Sequence, residues 1–423
     1  MRSTRFLLAA TLALVTGMPF VGFAQEPGPT PAQPMPMGAP GPMDPGAAVE
    51  PMAPSSPAAQ YFEYEDPIDR FNVWGGVEFL MWWTQGSHMP GLVNTADPGT
   101  PRNSLGVPIA AVDGQPTTHR LYGNGQIGQD MQTGGRVTFG KWLDQDQTAG
   151  AGLRYYALAG GGKGGTFTSV AGDPIIGLPF FNELIGYEDA LLVGYPNVSE
   201  GTVAVQQQTD FTGAEAFGRL MMENTGRTRV DLIAGYQFAR FDDRLQMNSN
   251  ITGLGLLTGT TFDIQDRFKT TNEFHGGQLG ILTERHNGRV SLTGLFKLSL
   301  GNNHQTVDIS GRNIVTNGGG PTTYTGGLYT QGTNIGTYTR DRFMAIPEFN
   351  MNLVFHCSRR MDFTVGYTGL VMTNVLVAGD QIDHNVNLSQ QTGPLVGPAR
   401  PAFQFNDRSY WIQGINLGLS FNF

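Results

Sequence analysis

Four polar side chains are the best candidates for chemistry in this sequence: Arg219, Asp231, Gln278 and Lys297. A hairpin with symmetric register about Thr225 sets Arg219 opposite Asp231, and the dipeptide Asn287-Gly288 is a second hairpin signal that sets Gln278 opposite Lys297. Oppositely charged neighbours on adjacent strands gain roughly 0.2–1 kcal/mol. These residues predict ion pairing along the wall of a narrow lumen. They do not predict a catalysed reaction.

Motifs for catalysis or for cofactor and metal binding are weak. The segment Gly123–Gly128 spells GxGxxG, but it follows no buried strand and opens no helix, so it predicts no dinucleotide site. Asp144-Gln-Asp146 begins like a calcium loop, but Ala149 stands where the sharp turn needs glycine, and a tight polar turn is the simpler interpretation. The seven histidines show no HExxH or paired spacing, and no Ser–His pairing follows from spacing. We therefore predict no enzyme, no cofactor and no metal.

Two carboxylates in a loop leave two interpretations open. Asp380 and Asp383 lie in the segment Gly379–Asp383, where they could bind a cation or form an Asx-type turn. The side chain of Asp bonds its own backbone two residues on, so the turn is the favoured interpretation.

The elements that would position these residues are strands, and the last one is the clearest. One parity of the C-terminal segment carries apolar residues and the other carries small and polar residues. The apolar set is Trp411, Ile415, Leu417, Leu419, Phe421 and Phe423; the polar set is Gly414, Asn416, Gly418, Ser420 and Asn422. Period-2 alternation predicts a strand with two different faces. A strand that ends in an aromatic residue is also the usual sorting signal of bacterial outer-membrane barrels.

Ten such strands are predicted, and their connections alternate between short and long. They are Asn72–Thr84, Gly134–Leu143, Thr148–Leu158, Thr209–Met222, Thr228–Phe241, Ile264–Glu284, Arg289–Leu300, Phe343–Phe355, Met361–Thr373 and the terminal strand. Four short turns and five long loops result, the third loop having some twenty residues. This is the pattern of a closed antiparallel transmembrane β-barrel with short periplasmic turns and long extracellular loops. The prediction is an all-β fold of about ten strands, with twelve or more left open.

Facing residues agree with this interpretation. In the strand Arg289–Leu300, Leu292, Phe296 and Leu298 share one parity and are predicted to face lipid, while Lys297 falls on the other parity and faces the lumen. Aromatic residues gather near strand ends and predict an interfacial girdle. Its candidate members are Trp74, Trp82, Trp83, Trp142, Tyr410 and Trp411.

The N-terminal region predicts export. Arg2 and Arg5 precede an apolar run, and small residues stand near Ala24, so residues 1–24 are predicted to be a cleaved signal peptide. Residues 25–60 are rich in Pro, Met and Ala and predict a disordered linker, and residues 71–423 form the barrel. The net charge of −9 without a basic block gives no indication of nucleic-acid binding.

Five segments together resemble the putative beta-barrel porin family 7, a group of outer-membrane proteins. They are Trp74–Trp83, Asn272–Gly280, Pro347–Leu353, Gly366–Val371 with Gly379–Asp383, and Trp411–Gly418. The resemblance spans about residues 71 to 423 and implies an outer-membrane barrel. The chain departs from the family at Val377-Ala378, where Arg-Pro is expected.

Two functions follow as expectations. The first is a bacterial outer-membrane protein of porin type that allows passive passage of small solutes through a narrow lumen. The second is a closed structural or adhesive barrel that acts through its extracellular loops, because about eight strands already fill a barrel with side chains and aqueous channels appear near sixteen. The predicted partners are outer-membrane lipids and the barrel-assembly machinery, which would recognise the C-terminal strand ending at Phe423.

Overall fold

The computed structural model describes residues 72–423, so the predicted signal peptide and linker lie outside the described residues. Within this range the chain forms strands almost throughout. They are β1 (Val73–Thr84), β2 (Ser87–Ala96), β3 (Asn103–Ser104), β4 (Val107–Pro108), β5 (Thr118–Ile127), β6 (Met131–Trp142), β7 (Ala149–Ser169), β8 (Ile175–Asn182), β9 (Tyr187–Gly194), β10 (Ser199–Asn224), β11 (Thr228–Gly253), β12 (Thr261–Asn287), β13 (Val290–Asn317), β14 (Gly320–Thr325), β15 (Gly336–His356), β16 (Met361–Leu376), β17 (Asn385–Val386) and β18 (Asp407–Asn422). Short helical turns lie at Gly255–Leu257, Ala378–Gln381 and Ser389–Thr392. In this part of the chain no helix is long and apolar enough to cross a membrane.

Ten of the strands pair into a closed antiparallel ring. Its order is β12-β11-β10-β7-β6-β1-β18-β16-β15-β13, and the pairing of β13 with β12 completes the circle. First and last strands meet along the seam from Trp74 opposite Asn422 to Thr84 opposite Ile412. The backbone of Phe423 exchanges two hydrogen bonds with Val73 at the end of this seam. The prediction of a closed antiparallel barrel of about ten strands is confirmed.

The connections divide the barrel into a turn end and a loop end. At the turn end, β6–β7, β10–β11, β12–β13 and β15–β16 are joined by two to six residues each. Gly288, with a φ of 63°, takes the left-handed conformation in the two-residue turn between β12 and β13. At the loop end four connections are long, but the third is only seven residues, because β11 continues to Gly253, far beyond its predicted end at Phe241.

The long strands change character along their length, which explains the wrong boundaries. On the outward face of β11 the residues Val230 to Phe238 are apolar, whereas Arg240 and the alternate residues after it are polar. The inward face changes in the opposite sense and buries Leu245 and Met247. Apolar outward residues suit lipid and polar ones suit water, so the change marks the edge of the membrane band. The alternation continues past this edge with inverted polarity, and the sequence analysis ended the strands where the polarity reversed.

The loops form a second sheet that packs against the apolar inward face of the extended strands. We call it the cap sheet; its order is β17-β8-β2-β5, with β9 beside β8. Buried residues of the cap sheet and of the barrel wall form one apolar cluster. Its members include Met89, Leu92, Leu178 and Phe180 from the cap sheet and Val203, Leu245, Ile264, Phe268, Val307 and Ile309 from the wall. The long loops are therefore a folded unit and not free surface loops.

A carboxylate holds a further loop in place. Asp266 on the inward face of β12 accepts hydrogen bonds from the backbone N–H groups of Leu328, Tyr329 and Thr330 at 3.1, 2.9 and 2.8 Å. The loop approaches so closely that a Cβ on Gly327 would lie 2.4 Å from the Asp266 carboxylate. Glycine is required there for that reason.

The exposed apolar band predicts how much a charged substitution on the outward face lowers the free energy of unfolding. Phe296 lies near the middle of the outward band of β13 and is 56% exposed, as expected for a lipid-facing side chain. Phe296→Arg should lower the free energy of unfolding in bilayers by about 2–4 kcal/mol. Thr306→Arg, on the same face of β13 but beyond the band, is the control and should change it by less than about 0.5 kcal/mol. Equal effects, measured by denaturant titration in lipid vesicles, would contradict the position of the band.

Candidate functional site

Six charged residues cross the barrel interior between the turn end and the cap sheet. We call them the charged layer: Glu78, Arg136, Arg154, Glu215, Lys297 and Glu348. Three carboxylates and three cations give the layer no net charge. All six come from inward positions on β1, β6, β7, β10, β13 and β15.

Lys297 is the centre of this layer. Its ammonium nitrogen lies 2.6 Å from Glu215 Oε1 and 2.8 Å from Glu348 Oε2, and its side chain is 1% exposed. β13 and β10 are not neighbours in the ring, because β12 and β11 stand between them. The bond between Lys297 and Glu215 therefore spans the lumen.

The other members of the charged layer are also paired with opposite charges. Arg136 forms a two-bond pair with Glu78 at 2.5 and 2.6 Å, and Arg154 approaches Glu215 at 3.5 Å. The guanidinium of Arg136 lies 5.9 Å from the ring centre of Trp82, and that of Arg154 lies 5.6 Å from Phe217. Buried charges are tolerated only when they are paired and hydrogen-bonded, and here each has an opposite charge in contact.

Toward the loop end the lumen is filled by an apolar layer. It is built from Leu80, Trp82, Tyr156, Leu158, Phe211, Ala239, Phe241, Phe274, Met344, Ile346, Leu370, Met372, Val375, Val377, Tyr410 and Ile412. The ring of Tyr410 packs on Phe241 at 4.6 Å between centres, although their strands lie on opposite sides of the ring. Hydrocarbon side chains thus meet across the full width of the barrel at this level.

A chain segment that contributes Val375 and Val377 to the apolar layer folds inward across the lumen. Asn374 takes a left-handed φ of 54°, a conformation that Asn tolerates, and the bulge there turns the end of β16 inward. The Asn374 carbonyl accepts hydrogen bonds from Gln305 at 2.6 Å and Asn303 at 3.0 Å, and Leu376 N–H donates to Asn272 at 2.9 Å. This crossing segment, residues 374–378, ties β16 to β12 and β13.

Two loops meet at one buried carboxylate beside the crossing segment. Asp243 of β11 accepts the Ala378 N–H at 2.8 Å and the Ser87 hydroxyl at 3.2 Å. Thr209 and Gln207 of β10 donate to the same carboxylate at 2.9 and 3.2 Å. Asp243 therefore fixes the first and last loops to the barrel wall.

Arg219 and Asp231 lie in contact, but their register differs from the symmetric one. Arg219 Nε donates to Asp231 Oδ2, whereas in the ladder Asp231 stands opposite Met221 because a bulge lies between Met221 and Glu223. Arg229 also donates to Asp231, at 2.9 Å, so the carboxylate is shared. Both guanidinium groups stack on Trp142, at 4.8 and 4.6 Å.

Gln278 does not stand opposite Lys297. The turn between β12 and β13 consists of Gly288 and Arg289, so Gln278 pairs with Ser299 and Lys297 pairs with Gly280. Gln278 is buried inside the barrel, and its amide has no hydrogen-bond partner among residues 72–423. The predicted register was wrong by two residues because it took Asn287-Gly288 as the turn.

The aromatic girdle was predicted with four wrong members. Trp74, Trp82, Trp142 and Tyr410 face the lumen, where Trp82 and Tyr410 are 2% and 1% exposed. They fall on inward parity, where the interior needs large side chains, so their position near strand ends was misleading. Trp83 and Trp411 face outward near the loop end, as a girdle requires.

The two acidic motifs set aside in the sequence form structural turns, whereas the GxGxxG segment lies mostly in β5. Asp144 accepts the Thr148 N–H at 2.8 Å; the Thr148 side-chain bond and the backbone bonds hold the pKa of Asp144 below its usual value. Asp383 accepts the Asn385 N–H at 3.1 Å, which confirms the Asx turn.

Arginines occupy both loop carboxylates that could have bound a cation. Arg400 lies 2.8 Å from Asp383, and Arg408 lies 3.2 Å from Asp380. Burial raises the pKa of Asp380, and Arg408 offsets part of that rise. Over residues 72–423 no group of three or more His, Cys, Asp or Glu side chains could hold a metal ion.

Five of the six members of the charged layer were not predicted from the sequence, although a signal was present. Glu78 stands between Val77 and Phe79, as Lys297 stands between Phe296 and Leu298. A charge between apolar neighbours on a strand with a lipid-facing parity must face the interior. Applied to every strand, this rule also finds Arg154 and Glu348.

A closed ring of ten strands with an exposed apolar band and a polar, neutralised interior defines a β-barrel membrane protein. The family model described as putative beta barrel porin-7 (BBP7) matches residues 74–423. The chain therefore belongs to the putative beta barrel porin-7 family. No curated protein matches the chain.

Several solved structures also have distant similarity to the chain. The outer membrane protease OmpT from Escherichia coli is 10% identical with a TM-score of 0.38; the match covers 84% of this chain and 98% of that one. A FadL homologue of Pseudomonas aeruginosa is 7% identical with a TM-score of 0.26, covering 84% and 91%. The toluene transporter TodX of P. putida is 8% identical with a TM-score of 0.17, covering 83% and 90%. Similarity at this level carries no functional argument.

The charged layer predicts a strong dependence on charge balance. Lys297→Met leaves two buried carboxylates short of a cation and should cost about 3–5 kcal/mol of unfolding free energy. Adding Glu348→Gln restores the balance, so the double variant should be more stable than the single one. Lys163→Met, at a half-exposed lysine paired with Asp130, is the control and should cost less than about 1 kcal/mol. Additive losses in the double-mutant cycle would show that Lys297 and Glu348 are not coupled.

Proposed function

We propose that this protein is an outer-membrane barrel whose lumen is closed to solutes, and that its cap sheet and loop tips carry its function as a structural or adhesive surface. The single observation that carries the proposal is the filled interior. The charged layer and the apolar layer both fill the lumen, and the crossing segment, which contributes Val375 and Val377 to the apolar layer, adds backbone across it. Ten strands enclose little more than their own side chains, so these layers leave no role for a wide aqueous pore.

The loop end has features of a contact surface. Leu105 and Leu256 at two loop tips are fully exposed, and Leu184 and Tyr187 beside another tip are about half-exposed. Loop tips held by a packed cap sheet are already ordered, so binding a partner would cost less conformational entropy. This supports contact with a surface more than passage of a solute.

The export and membrane features belong to the same proposal. Residues 1–24 would direct the chain through the inner membrane, and residues 25–60 would remain as a periplasmic linker. The assembly machinery would recognise β18 with its terminal Phe423, and lipids of the outer membrane would contact the apolar band. The turn end would then face the periplasm.

Passive passage of small solutes is the second candidate, and the name of the family is what favours it. It requires the charged layer and the crossing segment to move apart together. Planar-bilayer recordings separate the two functions.

Purified protein should give no stable conductance steps in planar bilayers, because the charged layer and the apolar layer both fill the lumen. Arg219→Ala with Asp231→Ala widens only the turn end and should leave the conductance unchanged. The heat-dependent shift of barrel migration on gels verifies that the reconstituted protein is folded. Large and stable steps from wild-type protein would overturn the closed barrel and establish the porin function.

Orientation can be tested by cysteine labelling. Cys357 is exposed in the turn between β15 and β16, so a bulky impermeant maleimide should label it only after the outer membrane has been permeabilised. Leu256→Cys in a Cys357→Ser background should be labelled in intact cells. Labelling in the reverse pattern would contradict the proposed orientation, and labelling of neither site in intact cells would contradict surface exposure of the cap.

A further inference from the structure

A serine at the turn end has two histidine neighbours and, beyond one of them, an aspartate. Ser291 Oγ lies 2.7 Å from His356 Nε2, and His356 Nδ1 lies 2.8 Å from Asp362 Oδ1. On the other side, Ser291 Oγ lies 2.8 Å from His286 Nδ1. These contacts have the geometry of a nucleophile, a general base and a carboxylate that orients the base.

The barrel register creates this arrangement. Ser291 on β13 stands opposite His286 on β12 and opposite Val354 on β15, so His356 is its diagonal neighbour. On the next strand, β16, Asp362 stands opposite His356. Four consecutive strands of a closed ring therefore hold the four side chains, which is a rigid support for a site.

The donors and acceptors along the contacts assign a role to each group. Asp362 is an acceptor, so His356 Nδ1–H donates to it and leaves Nε2 free to accept the Ser291 proton. This is the tautomer that a general base needs. Asp362 is then a positioning residue, because it acts through His356.

His286 covers the serine. Its Nε2 lies 3.3 Å from Glu284 Oε1, and its ring is 43% exposed, whereas Ser291 is fully buried. Three hydrogen bonds join His286, Ser291, His356 and Asp362, and two neutral imidazoles with one hydroxyl supply the three protons. With His356 as the base, His286 Nδ1–H donates to Ser291 Oγ. A turn of this ring, close to the hairpin at Gly288, would uncover Oγ.

The turn end offers a route to the serine. Some inward residues there are partly exposed, in contrast to the buried charged layer above them; they include Thr138, Thr293, Asn352, Thr364 and Ser420. Other inward residues at this end, such as Phe217 and Ile233, are buried, so the open part of the lumen is small. A vestibule lined by such polar side chains is narrow, because only ten strands surround it. It suits a small ester and not a folded substrate.

We propose that Ser291 and His356, oriented by Asp362, form a serine-hydrolase site that opens to the turn-end vestibule and is covered at rest by His286. Ser291 Oγ would attack the carbonyl carbon of a small carboxylic ester while its proton passes to His356 Nε2. That proton leaves with the alcohol as the ester bond breaks and an acyl-serine forms. Water then attacks the acyl group and gives a proton to His356; the acid leaves and Ser291 recovers its proton.

The test is covalent labelling of the folded full-length barrel in detergent by a fluorophosphonate probe. Mass spectrometry of the digested wild-type protein should find the adduct on Ser291, and Ser291→Ala should lose it. Ser299→Ala is the matched control, because Ser299 is an equally buried inward serine on β13 without a histidine contact. The Ser299→Ala variant should carry the same adduct on Ser291 as the wild-type protein.

Further variants separate the roles. His286→Ala should raise the labelling rate because it removes the cover. Asp362→Asn should lower that rate by at least 100-fold, since loss of the carboxylate of such a triad lowers kcat by about 10⁴-fold, and Asp362→Glu should restore part of it. A purely structural Asp362 would give no such rescue. The heat-dependent shift of barrel migration on gels verifies folding of each variant.

Two results would overturn the proposal. If the folded wild type and the folded His286→Ala variant both lack an adduct on Ser291, the serine is not a nucleophile. If His286→Ala is labelled no faster than wild type, His286 does not cover it. The first result requires that both proteins are folded, and the heat-dependent shift on gels verifies this.

Discussion

Every strand in a membrane barrel needs a partner on both sides, because lipid offers no hydrogen bonds to an open edge. Here the pairing of β1 with β18 meets that constraint, and the closed ring follows from it. Closure with only ten strands sets the diameter, and the diameter sets what the lumen can contain. The charged layer and the apolar layer are two solutions to the same narrow space. One fills it with paired charges, the other with rings and methyl groups.

The strands of the ring differ in length, and the cap sheet covers the part of the wall where the strands are longest. β10 to β13 have 26 to 28 residues each, while β1 and β6 have twelve. Above the membrane band the tall wall would expose its apolar inward face to water. The cap sheet covers that face, and Asp243 and Asp266 fix the covering loops by accepting hydrogen bonds from their backbone. Buried carboxylates with several donors are costly to disturb, so the cap and the wall form one packed unit.

Much of this could be predicted from the sequence, because period 2 is a strong signal when one face meets lipid. The ten strands, the alternation in β13 and β18 and the contact of Arg219 with Asp231 all follow from parity. Parity cannot locate bulges or choose between turns that differ by one residue. The bulge after Met221 and the turn at Gly288-Arg289 therefore shifted the predicted pairs. The prediction that Trp82 and Tyr410 belong to the aromatic girdle was wrong for another reason. Both residues lie near strand ends but on inward parity, and packing inside the barrel outweighs the preference of their rings for the membrane interface.

The contact between Ser291 and His356 shows what spacing along the chain cannot reveal. The two residues are 65 positions apart, and only the pairing of β13 with β15 and of β15 with β16 brings the serine, the imidazole and Asp362 together. A register shift of one residue would turn one of them to the lipid face, since side chains alternate. The same closure that blocks the lumen to solutes gives these residues fixed neighbours. A closed barrel and a small reactive site at its turn end are therefore compatible, and the first makes the geometry of the second possible.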